Sequence, residues 1–403
     1  MCYDGPLEFL FVVDDCQDAA HAAVHSVIQR APKGLEARVL IAGAATSNSQ
    51  KIHNIQTGIW AAESAHKYVL CLDDDVVLHP GSLQMLVDSM EAQPDMFMAT
   101  GYPFDLPPPH SSVLTYCVMV YHLPLLIAFS IRQHTQFVWG GCMLFPLQDM
   151  RSDRYGIMQA WSDGGYSDDL IVAAKCGEHG LQILCPSFSI LPQWLEGECG
   201  LRRYWNYLRR QLYVMDTYAS PLNRRINHSM MVVHAYLSWA FVLPATTAGL
   251  RICLWVLETL LLPSQQVWDG PGTSLHWLRM FGVGKCPLSS ASHLAFLACW
   301  ALAALSLRWM SRVILDLFDQ LSPASAPLPR DLFNWLKLWL GFYINNAVLP
   351  FCMLYTKLCT SVEWSGVRYA KSRGRVMQVA HLPASAGLAS GEPSGRPLNI
   401  RLD

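Results

Sequence analysis

The sequence predicts an α/β domain built on a mostly parallel sheet, followed by a membrane-embedded helical region. Three observations predict it. Apolar runs of strand length alternate with helical stretches through the first half of the chain, the order expected of strands joined by crossover helices. Two of those runs end abruptly in carboxylates, at Asp14-Asp15 and at Asp73-Asp74-Asp75. Beyond residue 229 long uncharged stretches take over.

Composition sets outer bounds. A chain of 403 residues accommodates more than one domain. Hydrophobic residues make up 52% and charged residues 15%, unevenly placed, which separates a water-soluble half from a membrane half. The formal net charge of −2 lacks the basic excess that nucleic-acid binding requires, so no nucleic-acid partner is expected. The 13 cysteines are scattered, with no C-x-x-C pair, which argues against a zinc ribbon, a redox motif or an ordered disulfide framework. Free thiols of a reducing compartment are the simpler reading. Residues 1–20 carry no signal-peptide pattern, because Asp4, Glu8, Asp14 and Asp15 interrupt any apolar core.

The elements follow in order. Leu7 to Val13 reads as a buried strand ending in Asp14-Asp15. A helix is predicted from about Asp18 to Arg30, with Ala22, Val24, Val27 and Ile28 on its apolar face, and Pro32-Lys33-Gly34 is a turn. Ala37 to Ile41 is a second strand. A helical stretch opens at Lys51-Ile52-His53-Asn54 and runs to about His66. Tyr68 to Leu72 is the strand that ends in the three carboxylates. Adjacent unpaired carboxylates repel one another, and a divalent cation removes that penalty. Mg²⁺ is commonly held by one or two carboxylates together with substrate phosphates. The alternative is an acidic turn before the helix that begins near Pro80-Gly81-Ser82.

Farther on, Pro103 to Pro109 is a loop, and Val113 to Ser130 a buried or interfacial helix. Phe137 to Phe145 is an apolar run that contains Trp139-Gly140-Gly141, where glycine marks either a bulge or the close approach of a ligand or another backbone. Ser167 caps a helix whose first turn holds Asp168 and Asp169. Those carboxylates suit the helix dipole, and one of them facing the cleft would also suit a general base. Leu201 to Gln211 is basic and aromatic, with Arg209-Arg210, and reads as interfacial anchors or as phosphate contacts. Spans are predicted at Met231–Leu250, Ala291–Leu307 and Trp335–Tyr355, the last with Asn345-Asn346 in its middle. Basic residues before the first span and after the second point to an in–out–in path. The group Arg368, Lys371, Arg373 and Arg375 also asks to be cytoplasmic, which an odd number of spans contradicts: either the third segment is a hairpin or a fourth span is present. The expected organisation is 1–229 catalytic, with interfacial helices near 201–229, then 230–375 transmembrane and 376–403 a disordered tail rich in Gly, Ser, Pro and Ala.

Taken together, Val13-Asp14-Asp15, Lys51-Ile52-His53-Asn54, Asp73-x-Asp75, Trp139-Gly140-Gly141-Cys142, Asp168-Asp169 and the Arg-rich segment from Tyr204 to Gln211 resemble the membrane-embedded inverting glycosyltransferases of the GT-A fold, which is Rossmann-like. Within that group the order and spacing are most similar to the ceramide glucosyltransferases. The resemblance implies transfer of glucose from UDP-glucose to ceramide at a Golgi or endoplasmic-reticulum membrane, with the catalytic domain facing the cytosol. It implies Asp15, with Asp14, at the nucleotide, and Asp73 and Asp75 holding Mg²⁺ or Mn²⁺ against the diphosphate. It implies Asp169, with Asp168 beside it, as the general base, and Lys51, Asn54, Trp139, Gly140, Gly141, Arg209 and Arg210 lining the substrates. Where the family has (Q/R)-x-x-R-W, this chain has Asn206-Tyr207-Leu208-Arg209-Arg210, keeping only the inner Arg. Such enzymes also start with a membrane helix and a strand that this chain begins too late to contain, so a shortened form is expected. The competing expectations are a polysaccharide synthase or polyprenyl-phosphate glycosyltransferase of the same fold, and a non-catalytic membrane paralogue. A transporter is disfavoured by the scarcity of ionisable residues and the lack of an evident repeat in the membrane half.

Overall fold

A computed structural model describes residues 3–31, 34–130, 132–261, 291–325, 327–329 and 331–382. In the first half β1 (Glu8–Val13), α1 (Ala19–Arg30), β2 (Glu36–Ile41), α2 (Gln50–Ala61) and β3 (Tyr68–Leu72) follow the alternation read from the sequence. After them come α3 (Ser82–Ala92), β4 (Met96–Thr100), β5 (Tyr102–Leu106), α4 (Val113–His122), α5 (Leu126–Ser130), β6 (His134–Thr135) and β7 (Cys142–Pro146). The domain continues through α6 (Leu147–Arg151), α7 (Ile157–Ser162), α8 (Asp168–His179), β8 (Gln182–Leu184), β9 (Ile190–Trp194) and α9 (Leu201–Met215). Caps set the helix starts: Asp18, Ser49, Ser112 and Ser167 each accept a backbone N–H of the first turn.

The sheet is mixed, not mostly parallel, and it is divided. β1 and β2 pair in parallel by themselves, from Glu8 opposite Glu36 to Val13 opposite Ile41. A separate five-stranded sheet has the order β3-β7-β4-β8-β6, in which, among the described residues, β4 and β8 pair in parallel and the other neighbours pair antiparallel. The reason is the path of the chain: after the α4–α5 excursion β7 returns in the opposite direction and inserts between β3 and β4. β5 and β9 form a third, parallel pair. β7 also begins after the glycine pair, so Phe137 to Gly141 is loop rather than strand.

Two cores flank the five-stranded sheet. Ile52 and Ile59 of α2 pack with Phe145, Trp161 and Val172, and Leu86 and Met90 of α3 pack with Leu144 and Leu184. A third core joins the domain to the C-terminal helices, with Phe104, Met119 and Val120 against Leu315, Phe318 and Leu338.

Three long helices follow: α10 (Pro221–Leu261), α11 (Ala291–Leu321) and α12 (Trp335–Leu358). Each is long and apolar enough to cross a membrane. α10 begins ten residues before the predicted span and α11 extends well past the predicted end at Leu307. The tail assigned from residue 376 begins inside a strand. β10 (Ser361–Trp364), β11 (Val367–Ser372) and β12 (Arg375–His381) form an antiparallel meander. Its inward residues Val362, Val367, Tyr369 and Val376 are buried with Tyr166 and Tyr213, and that alternation of apolar side chains makes strand of what composition alone reads as tail. Residues beyond Leu382 lie outside the described ones.

Candidate active site

The site is assembled from the ends of elements. β3 and β7 pair along their length, and just past the pairing Asp73 donates its N–H to the Gly141 carbonyl at 3.1 Å. This fixes Asp73 beside the glycine pair. Ser49 starts α2, which places Lys51 in the first turn with its ammonium directed at the same spot. Lys51 Nζ lies 2.9 Å from Asp73 Oδ1 and 3.1 Å from Asp168 Oδ2. One cation therefore ties together three segments that are far apart in sequence.

Asp168 and Asp169 open α8 behind their Ser167 cap, as read from the sequence. Trp161, fully buried, donates its indole N–H to the Asp168 carbonyl at 3.1 Å and anchors the turn to the core. Asp169 Oδ1 accepts from Ser167 Oγ at 2.5 Å and from the Leu170 N–H at 2.7 Å, and its other oxygen accepts from the Gly140 N–H at 3.4 Å. Gly140 lies so close that an added Cβ would stand 2.3 Å from Asp168 Oδ2. The glycine thus serves a close approach of backbone to carboxylate. Gly141 lies under the Trp139 ring, where a Cβ would clash at 2.2 Å.

Electrostatics follow from burial. Desolvation pushes the Asp73 carboxyl up to about 7, against the pull of the Lys51 ammonium. Desolvation, then the neighbouring Asp168 charge, raises the Asp169 carboxyl. Burial opposes the charge on Lys51, but Asp168 and Asp73 together raise it well above the ordinary lysine value. These carboxyls are held in a partly dry, mutually repelling cluster around one ammonium. Such clusters occur at functional sites because their proton affinities are displaced.

The remaining predicted residues divide. Asn54 Nδ2 donates to Asp14 Oδ1 at 2.8 Å, so Asp14 and Asn54 form one unit at the end of β1, and burial raises the Asp14 carboxyl. Asp15 is exposed and accepts the Gln17 N–H at 2.6 Å. Asp75 Oδ2 accepts from Gln193 Nε2 at 2.8 Å, while Asp74 is exposed. Trp139 donates its N–H to Thr100 Oγ1 at 3.0 Å and packs near Tyr102. Arg209 and Arg210 engage the C-terminal meander: Arg209 donates to the Ser361 carbonyl at 2.8 Å, and Arg210 lies 4.5 Å over the Trp364 ring.

Two features were not foreseen. The meander abuts the site, with the Gln50 N–H donating to Tyr369 Oη at 3.2 Å and His381 Nε2 3.1 Å from the Ala45 carbonyl. The alternation of apolar residues from Val362 to Val376 is its one sequence signal. Gln193, the partner of Asp75, stands in a strand with no motif around it. As hard-cation ligands the candidates are Asp73 and Asp75, whose carboxylate oxygens are the donors Mg²⁺ and Mn²⁺ take. Among the described residues no three His, Cys, Asp or Glu side chains converge as a complete protein cage.

A comparison with curated proteins returned no match. Residues 2–189, from before β1 to just before β9, match the family model described as glycosyltransferase like family 2. The carboxylate-ended strand, the glycine pair and the capped acidic helix all fall inside that span, so the part of the chain that carries the site is the part similar to that family.

Proposed function

We propose that this domain transfers glucose from UDP-glucose to the primary hydroxyl of ceramide, with inversion, at a Golgi or endoplasmic-reticulum membrane. The observation that carries the reading is the convergence of Asp73, Lys51, Asp168 and Asp169, beside a set of helices able to enter a bilayer. A family-2 domain takes a nucleotide-sugar donor and an acceptor. A membrane-borne site suits an acceptor that is itself a lipid.

In this reading Asp14 and Asp15 meet the nucleotide. Asp73 and Asp75 would hold Mg²⁺ or Mn²⁺. Two carboxylates are the usual protein share for Mg²⁺, and donor phosphates and water would supply the remaining ligands. The cation, when bound, neutralises charge on the diphosphate leaving group. Asp169 takes the proton from the ceramide hydroxyl, and its carboxyl, raised by burial and by the neighbouring Asp168 charge, is a stronger base than an ordinary aspartate. The freed oxygen attacks the anomeric carbon from the face opposite UDP. As the new C–O bond forms, the bond to UDP breaks, and UDP leaves with the electron pair. A single displacement inverts the centre. Ser167 Oγ and the Leu170 N–H fix one oxygen of Asp169 and leave the other, weakly held by Gly140, as the one to accept the proton.

Membranes bearing the chain, incubated with UDP-glucose, ceramide and Mg²⁺ or Mn²⁺, should yield glucosylceramide. Product from a polyprenyl phosphate but none from ceramide would replace the acceptor. No product with any acceptor would favour a non-catalytic role.

A further inference from the structure

We infer that the chain holds the phosphate of an anionic lipid where α10 begins and α12 ends, between these helices and the meander. The side chains that meet there are mostly cationic. Asp216, which caps the end of α9, is the carboxylate at their centre. Its Oδ1 forms an ion pair with Lys357 of α12 and lies 2.9 Å from His228 Nε2 of α10, and its Oδ2 lies 2.8 Å from Lys371 Nζ of β11. Lys357 Nζ and His228 Nε2 are themselves 2.8 Å apart. Arg224 precedes His228 by one turn on the same face of α10. It lies 5.5 Å over the Tyr218 ring, and His228 packs edge-on to that ring at 6.0 Å.

Lys357, Lys371 and Arg224 thus stand against one carboxylate, which leaves two positive charges in surplus with His228 neutral. Glu178 of α8 and Asp163, just past α7, are paired with Lys175 and Arg375. Lys371 bears the cost of the surplus. Its side chain is only 7% exposed, and its ammonium sits 3.9 Å from the centre of the Tyr213 ring. Burial lowers its proton affinity, and the charges of Lys357 and Arg209 lower it further, against the pull of Asp216. An anion bound beside these groups relieves that repulsion.

The border of the cluster says what kind of anion it takes. Leu222, Ile226 and Met230 form one stripe of α10, Leu354 and Leu358 lie at the end of α12, and all five are 38% to 75% exposed. A free phosphate makes no use of an apolar border. A lipid uses both parts: its phosphate meets the ammonium and guanidinium groups, and its acyl chains lie along the exposed stripe. Guanidinium groups suit phosphate, and basic pockets between apolar helices suit lipid headgroups. The cations are within reach, since Arg224 is exposed and the Lys357 side chain is 34% exposed. Bound there, the phosphate fastens α10, α12 and β11 to one another and stabilises the folded chain.

The test uses the purified full chain in uncharged detergent micelles and needs neither sugar donor nor acceptor. Thermal unfolding is followed as phosphatidylserine, phosphatidylcholine with the same acyl chains, or inorganic phosphate is added. Phosphatidylserine should raise the midpoint temperature to saturation, less so at high salt, and the other two should leave it unchanged. An equal shift with inorganic phosphate would make the ligand a soluble anion, and an equal shift with phosphatidylcholine would remove charge from the recognition; either overturns the inference. Arg224→Gln and Lys357→Gln should each weaken the phosphatidylserine titration about fivefold, the contribution of one Lys or Arg beside an anionic lipid. Arg30→Gln, at the exposed end of α1, should titrate as wild type. Arg224 is exposed, so its variant keeps the result readable if loss of the Lys357 pair unfolds the chain. A wild-type titration in Arg224→Gln, or an equal loss in Arg30→Gln, would show that the lipid is held elsewhere.

Discussion

Lys51 is the residue on which the charge balance of the site depends. It neutralises Asp73 and Asp168 together, and Asp168 is nearly inaccessible. Lys51→Met would leave two desolvated carboxylates without a cation, a change that typically costs about 3 kcal/mol or more. The expected result is a clear fall in thermal stability, partly restored in Lys51→Arg, measured by thermal unfolding in detergent. Asp73 carries a second expectation. Its ordinary value is 3.8 and burial raises it to about 7. Between those values the folded chain holds a proton that the unfolded chain has released. The shift therefore favours folding at acid pH, and this advantage is lost as pH rises through about 7. In the proposed function cation binding would have the opposite dependence, because it would need ionised Asp73. Metal-dependent UDP binding should strengthen as pH rises from about 6 to about 8, and Asp73→Asn should weaken it and abolish that slope. Asp169→Asn should reduce transfer by about 10²–10⁴-fold, the usual contribution of a general base, while UDP binding measured by calorimetry stays near wild type. Full turnover in that variant would remove Asp169 from the role.

At the scale of elements, the site is a meeting of termini: the end of β3, the start of β7, the first turn of α2 and the first turn of α8. Such ends are held by caps and by close backbone approach, with the Lys51 side chain joining three of them. Gly140 shows the tolerance. A Cβ there would stand 2.3 Å from Asp168 Oδ2, so either α8 or the loop must shift. Gly140→Ala should cost at least about tenfold in transfer, since a misplacement on the order of 1 Å costs about 10². Circular dichroism should remain that of the wild type. Retention of full activity would show that the loop yields freely and that the close approach is incidental.

Across the whole molecule, the C-terminal meander closes the structure onto its beginning. Tyr369 meets Gln50, His381 meets the Ala45 carbonyl, and Val376 meets Gly164, linking residues more than 200 positions apart. Residues 361–382 are therefore expected to be needed for the stability of the first domain. Truncation after Thr360 exposes Tyr166 and Tyr213 and leaves the Gly164 carbonyl and the Gln50 N–H without partners. Each buried polar group so stranded costs about 1–3 kcal/mol. Limited proteolysis should cut the truncated protein within 1–230 far faster than the full chain. Equal resistance would show that the meander is an appendage.

The sequence by itself determined the strands that end in carboxylates, the Ser167 cap with Asp168 and Asp169 behind it, and the division into a domain and apolar helices. These are local matters of period, capping and composition, which neighbouring residues decide. Only the tertiary structure decided that Lys51 bridges Asp73 and Asp168, because nothing in residues 51, 73 and 168 announces that they meet. It also decided that β7 inserts antiparallel between β3 and β4, that Arg209 and Arg210 face the meander, and that the expected tail begins as a strand. In α12 the two kinds of information meet. Its apolarity is legible in the sequence, since each residue contributes to it alone. Which of its faces is covered depends on what packs against it, and its two ends are bound by residues that precede it by 140 positions or more.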